Sequence, residues 1–548
     1  MKGGSRAPLG IILRDTVGLI AVFFVVNTVT GVYSWVPERT LGALFAPNLA
    51  AFVAVAYGLA LSRVEPRFRR VGSWVFAAFA GVFIGVALGE TVTQVNFQRG
   101  LDPVQDLRFM AGVAQLLFDV TGETARFAAY AIFVVGSVAL LALGLLGAFL
   151  LRFVFRHFKP HPIAFPLWAA YIVLALAVFG PTYTLSWSVA RGIAAPTAVE
   201  DFFAYELDAA VPGSNPAYAF PAIADADIHV FLVESYGHTV FSNDVVRAGL
   251  YDFLREQGEQ IERAGYSIVS HFIEAPIVGG YSWIAQATLF TGQRVSSQAG
   301  VERVMSTPRT TLFSIFNDAQ YHTVFSMPGT VNASWTEGEQ FYGFDTILYA
   351  WDFGYSGPSF SFVPVPDQFS IDFVHRKMAE RRRGGDETPA LIVQGLVSSH
   401  GPFNRIPPYL DDWDLLGDGT IYHDLEIETF DNDWFSGTQW DEGYIASIRY
   451  VMKTITEYIT RFVDDDDVIV ILGDHQPGQQ VRPRGDLFSV PIHYISRNHS
   501  VGERLLAEGF QPGIIPTQDP PHPGMETFLS QLLLAIGRPI RTTPEIAE

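Results

Sequence analysis

The chain has 548 residues, 49% of them hydrophobic and only 17% charged, against roughly 25% charged in an ordinary soluble domain. Its net charge of −20 is unevenly spread: residues 1–195 hold 15 Lys and Arg against 8 acids, which leaves 21 against 48 in the remainder. So acidic a second half argues against a nucleic-acid partner, because nothing there would neutralise phosphates, and a chain without Cys has no disulfides, thiolate metal sites or Cys nucleophiles.

The first half reads as a multi-pass α-helical membrane domain over residues 1–191. Five uncharged apolar stretches, 16–36, 41–62, 71–89, 127–151 and 166–190, approach or exceed the roughly 20 residues needed to cross a bilayer. Ten Lys and Arg flank these stretches on one side and four on the other, which orients the N-terminus to the cytoplasm. After five crossings, everything beyond residue 190 is expected outside the cytoplasm. Residues 98–126 read as a partly apolar segment along the outer membrane surface. Residues 192–226, rich in Ala and Pro, read as a connector with a short helix near 200–209.

From residue 227 to 548, strand-like runs alternate with helical spacing, the pattern of an α/β sheet. Ile228–Val233 reads as a central strand running into Glu234 and Ser235. A helix is predicted over 244–264, and strands over 266–272, 322–326 and 391–397, the last ending at Ser398, Ser399 and His400. Residues 444–463 set Ile445, Ile448, Met452, Ile455 and Ile459 on one helical face. The aliphatic run 468–472 reads as a strand buried on both faces, which delivers Asp474 and His475 to the carboxyl edge of the sheet, where such sheets hold ligands. A last strand over 490–495 and a packing helix over 525–536 complete the pattern.

Two short stretches carry chemistry with two readings each. Asp474 and His475 suit a divalent cation, or a helix cap with a surface His. In the segment IVGGYSWIAQATLFTG, Gly279 and Gly280 allow a tight turn, and Ser282 falls where a helix begins. There it is an N-cap, or a hydroxyl activated by the helix terminus and a neighbouring cation. Three strands ending in Glu234, His400 and the Asp474–His475 pair suggest a carboxylate-rich metal site at one sheet edge.

These residues resemble the alkaline phosphatase superfamily, and within it the membrane-anchored phosphotransferase branch of the lipoteichoic acid synthases. The resemblance implies a sulfatase-like fold with a central, mostly parallel sheet. It implies metal binding by Glu234 in FLVES, by Asp474 and His475 in LGDHQP, and by Ser282, which is also the catalytic nucleophile. It gives substrate binding to His400 in SSHGPF and to Trp335 in NASWTEGEQFYGFD. It further implies one divalent ion, Mn2+ favoured and Zn2+ possible, with a phospholipid donor and a glycan or lipid acceptor. The chain departs from the synthases in two ways: Ser stands for their Thr nucleophile, and Thr336–Glu337 stands where they carry a phosphate-contacting Arg. A phosphodiesterase or phosphatase resolved by water, and a catalytically silent membrane receptor, are the competing functions.

Other stretches read as follows. Residues 404–440, dense in acids and aromatics, read as a solvated surface loop or as a lid. The four acids at 464–467 read as a solvated turn. His238, close to Glu234 in sequence, reads as a surface residue or as an assistant at the site, and His522 as a loop residue that borders the site or merely punctuates the chain.

Overall fold

The aliphatic runs of the second half pair into one eight-stranded sheet in the order β11-β3-β10-β9-β2-β6-β4-β5. Its strands are β2 (Ile228–Val233), β3 (Ser267–Glu274), β4 (His322–Met327), β5 (Thr346–Tyr349), β6 (Ala390–Leu396), β9 (Val468–Gly473), β10 (Ser489–Ser496) and β11 (Gln511–Pro512). The five strands β9, β2, β6, β4 and β5 run parallel, while β10, β3 and β11 continue the sheet antiparallel. Two small antiparallel pairs lie outside it: β1 (Ala217–Ala219) with β12 (Ile540–Thr542), and β7 (Arg405–Ile406) with β8 (Glu428–Thr429).

This computed structural model describes residues 9–38, scattered helical positions between 138 and 170, and residues 217–542 apart from 224–225, 433–436, 484–487 and 538–539. The chain divides into two units, Met1–Thr197 and Ala198–Glu548. In the first unit, helix α1 (Leu9–Glu38) contains the first expected span. The other four spans lie outside the described residues except for scattered positions, as do the surface segment at 98–126 and nearly all of the connector. Among the described residues, no helix is long and apolar enough to cross a membrane.

Alternation along the central strands explains why the sheet is covered on both sides. Ile228, Val230 and Leu232 enter one hydrophobic cluster, and Phe231 and Val233 the other. Val468, Val470 and Leu472 divide from Ile469 and Ile471 in the same way. Two-residue periodicity with both faces apolar is what a sheet sandwiched between helices requires. Helices α2 (Asp244–Arg263), α5 (Asp367–Arg383) and α6 (Trp440–Phe462) cover one face. Helices α3 (Ser282–Thr291) and α7 (Phe528–Ala535) belong to the other, and α4 (Thr336–Tyr342) sends Tyr342 into it. Asn243 caps α2 by accepting from the Val245 N–H at 3.0 Å.

Two expectations need correction. Residues 404–440 are solvated only in part: Asp411, Asp412, Asp414 and Asp418 are exposed, but Trp413, Leu416 and Tyr422 are buried in the core with α5 and α6, so apolar burial anchors a segment of acidic composition. In the run 464–467, Asp465 and Asp466 are exposed, but Asp467 is buried beneath the sheet edge. It accepts from the Asp227 N–H at 2.8 Å and pairs with His229 at 3.3 Å.

Candidate active site

The sheet's parallel strands end together, and their ends supply the site. β2 runs into Glu234, β9 into Asp474 and His475, and β6 into Ser398, Ser399 and His400. Glu234, Asp474 and His475 are buried, and each offers a ligand atom within 4.8 Å of the others. Ser282 arrives from elsewhere, at the first position of α3, after Gly279, Gly280 and Tyr281 all adopt positive φ. For Tyr281, at φ 66°, that left-handed conformation is strained, and such strain is characteristic of functional turns.

The turn presents the Ser282 hydroxyl to the metal-ligating trio. Its Oγ donates to Glu234 Oε2 at 3.0 Å and lies 3.3 Å from His475 Nε2. His475 Nε2 is also 3.2 Å from Glu234 Oε1 and 3.6 Å from Asp474 Oδ2. The imidazole is oriented from its far side, where Nδ1–H donates to the Gln476 carbonyl at 2.8 Å. Asp474 Oδ1 accepts from the backbone N–H of Ser235 at 2.9 Å and of His475 at 2.7 Å. Ser282 is not the cap: Tyr281 holds the N-cap position, and Ser282, the first residue of the helix, turns its hydroxyl to Glu234 and His475.

Burial sets the electrostatics. It pushes the Asp474 carboxyl up, and the Glu234 charge adds to this, to about 7. Burial would lower His475, but the Asp474 and Glu234 charges overcome it and raise the imidazole to about 9. Burial also pushes Glu234 up, yet the His475 charge and hydrogen bond, with a contribution from His400, hold its carboxyl well below the usual range. Two carboxylates, an imidazole and a hydroxyl converging on one buried point fit a divalent cation, which would replace the protons that burial otherwise retains.

Several residues that hold the site gave no sequence signal. Gln476 Oε1 accepts from both the N–H and the hydroxyl of Thr239, at 3.0 and 2.8 Å, while its carbonyl accepts from Gly279 N–H at 3.0 Å. One residue thus joins the Asp–His loop to the turn before Ser282. Asp367, fully buried at the start of α5, accepts from the Val397 N–H at 2.7 Å and the Ser398 N–H at 3.1 Å. Ser399 Oγ donates to the Glu234 carbonyl at 2.5 Å, so the three residues that lead into His400 are all tied down. Gly473 admits no side chain, because a Cβ there would collide with the Tyr236 carbonyl.

The remaining candidates stand further out. His400 is exposed, its Nδ1–H donating to the Gly401 carbonyl at 2.6 Å and its ring 5.8 Å from Phe362. Trp335 is half-buried before α4; its described contacts are with Tyr342 and Tyr349 and not with Ser282 or the trio. His238 packs its ring on Phe272, 5.1 Å away. His522 is buried, with Nδ1 2.6 Å from Ser489 Oγ, and serves the packing of β10.

No family model and no curated relative matches the sequence. Similar solved structures include the lipoteichoic acid synthase LtaP from Listeria monocytogenes, 15% identical over 60% of this chain and 76% of that one, with TM-score 0.37. They include the C-terminal periplasmic domain of EcEptC from Escherichia coli, 11% identical over 59% of this chain and 87% of that one, with TM-score 0.35. They also include the Streptococcus pyogenes phosphoglycerol transferase GacH, 14% identical over 59% of this chain and 82% of that one, with TM-score 0.32. Likenesses this loose carry no argument about chemistry, which rests on the geometry of Ser282, Glu234, Asp474 and His475.

Proposed function

We propose that the chain is a metal-dependent phosphotransferase that works through a covalent phosphoserine intermediate. The observation that carries this reading is the Ser282 hydroxyl, 3.0 Å from Glu234 Oε2 and 3.3 Å from His475 Nε2, at the start of a ten-residue helix. Glu234, Asp474 and His475 would hold one divalent cation, and the carboxylate-rich donor set suits Mn2+, with Zn2+ as the alternative. When bound, that cation lowers the energy of the Ser282 alkoxide and of the charge on the phosphoryl oxygens.

In the first step the Ser282 hydroxyl gives up its proton to solvent and its Oγ attacks the phosphorus of a phosphodiester. The phosphorus–alcohol bond breaks, and His400 gives a proton to the departing oxygen. In the second step an acceptor hydroxyl attacks the phosphoserine, its proton is taken up by His400, and the Ser282 oxygen leaves and recovers a proton from solvent. The positive end of the α3 dipole favours the anionic phosphoryl group throughout.

The donor in this reading is a phospholipid head group, phosphoglycerol-like, and the acceptor an extracytoplasmic glycan or lipid. The charge bias of ten against four Lys and Arg supports a cell-membrane protein with its N-terminus in the cytoplasm and the 227–548 domain outside. Incubation with total lipid extract and Mn2+, followed by mass spectrometry of the Ser282 peptide, is expected to reveal an added phosphoryl group that names the donor. Ser282→Ala should carry no adduct and turn over at least about 10³-fold more slowly, with its melting temperature little changed. An adduct on another residue, or full activity in that variant, would refute the nucleophile.

A further inference from the structure

We propose that the loops following β4 and β5 form an aromatic shelf that binds a neutral sugar chain, the hydroxyl acceptor of the transfer reaction. This rests on the transfer reading above and narrows its acceptor. Trp351 is 48% exposed, and among the described residues it is the one exposed tryptophan. It does not lie loosely on the surface. Its ring stacks on Tyr349, with centroids 4.8 Å apart and planes inclined by 27°.

Tyr349 is in turn held at both ends. Its N–H donates to Asp352 Oδ2 at 2.8 Å, its hydroxyl donates to Glu339 Oε1 at 2.5 Å, and it accepts from the Trp335 N–H at 2.7 Å. Trp335 lies across Gly338, where any Cβ would collide with the indole. The buried Tyr349 thus anchors both tryptophans, Trp351 through ring stacking and Trp335 through its backbone N–H, so that Trp351 is held in place without a ligand. Rigid planar groups set out in this way bind at low entropic cost.

The charge around the shelf selects the occupant. The loops that follow β4 and β5, residues 328–344 and 350–358, hold three acids, Glu337, Glu339 and Asp352, and no Lys or Arg, while Asp345 stands before β5 beside the start of β4. Such a surface repels phosphate-bearing lipid head groups and polyanionic polymers. A sugar ring offers the two features that remain useful here. Its apolar C–H face packs on an indole, and its belt of hydroxyls donates to carboxylates. Position agrees as well: β5 lies three strands from β2 in the order β2-β6-β4-β5, about 14 Å at about 4.8 Å per strand. Both strands end on the same edge. A short oligosaccharide held at Trp351 therefore has the length to bring a terminal hydroxyl to Ser282.

The test is direct binding to the full chain in uncharged detergent, followed by intrinsic tryptophan fluorescence and titration calorimetry. The probes are neutral hexamers of glucose and of N-acetylglucosamine, with dihexanoyl phosphatidylglycerol as the anionic lipid. Saturable binding of a neutral hexamer is expected. Trp351→Ala should raise its Kd at least tenfold, and Trp351→Tyr should restore it to within about threefold, as a stacking role requires. Ser282→Ala should bind the hexamer as the wild type does. If that holds while Ser282 never carries an adduct, the shelf stands and the transferase reading falls. Binding of neither hexamer, an unchanged Kd in Trp351→Ala, or binding of the anionic lipid lost with Trp351 would each overturn the proposal.

Discussion

Strands β2 and β9 carry a carboxylate–imidazole trio at each end, and the two trios differ in what surrounds them. At the start of the strands Asp227, His229 and Asp467 come together, and where the strands end Glu234, Asp474 and His475 do. In the first trio, the carboxylate oxygens are answered from within the fold. Asp467 accepts from the Asp227 N–H at 2.8 Å and the Asp464 N–H at 3.2 Å, Asp227 accepts from the Ala390 N–H at 2.8 Å, and Arg382 pairs with Asp227. In the second, Glu234 faces Ser282, His475 and Ser235, and its ion-pair partner is the His475 imidazole. Clustered acids and histidines thus mean opposite things at the two ends. Where main-chain donors and an Arg answer both carboxylates they fasten strands, and where the group also faces a hydroxyl it is ready for a cation.

Matched substitutions should separate the two roles. The largest effect is expected from Glu234→Gln, which removes an anionic ligand and the carboxylate that accepts from the Ser282 hydroxyl: turnover should fall about 10³-fold or more. Adding Mn2+ or Zn2+ should raise the melting temperature of the wild type, as any ligand of the native state does, and this rise should vanish in Glu234→Gln. A metal-induced rise that survives would break the distinction between the ends. Asp467→Asn should do the reverse. Leaving His229 and the Asp227 N–H without their anionic partner is expected to cost about 3 kcal/mol in denaturant unfolding, with the metal-induced rise intact.

The smallest effect concerns Asp367, which touches neither trio. Burial raises its carboxyl to about 7, against about 3.9 in an unfolded chain. The native state therefore binds an extra proton between pH about 4 and 7, and this residue's contribution to stability declines as pH rises through that window. Asp367→Asn keeps an acceptor for the Val397 and Ser398 N–H groups without the charge. Its melting temperature relative to wild type should climb from pH 4 to 7 and then level off. A flat difference would mean that Asp367 is ionised throughout.

Much of this was legible in the sequence because it depends on local pattern. The apolar run Ile228–Val233, broken only by His229, and the aliphatic run 468–472 declared strands covered on both faces, and a polar residue beyond each declared the site edge. The Gly279–Gly280 pair declared the turn that delivers Ser282. What escaped depends on distant partners. Helix α5 buries Asp367, Gln368, Ser370 and Asp372, so its inner face does not stand out as apolar. Asp467 looked like the last member of an acidic turn because nothing local signals its bond to Asp227, 240 residues away. Gln476 acts through contacts to Thr239 and Gly279, and Trp413 and Tyr422 were masked by neighbouring acids. The segment 404–440 shows that overall polarity is a poor guide when a few large rings can reach a core.

The main-chain link between Gln476 and the turn before Ser282 has an evolutionary consequence. Gly279 N–H bonds the Gln476 carbonyl at 3.0 Å, and Val278 bridges Gln476 in parallel fashion. The spacing between hydroxyl and ligands is therefore written in peptide groups, which no side-chain replacement deletes. Tyr281, Trp283, Trp335 and Trp351 can drift in identity while the reacting atoms keep their separation. A scaffold of this kind can change customers without relearning its reaction, and selection for a new acceptor would be expected to act on the rings around the rim.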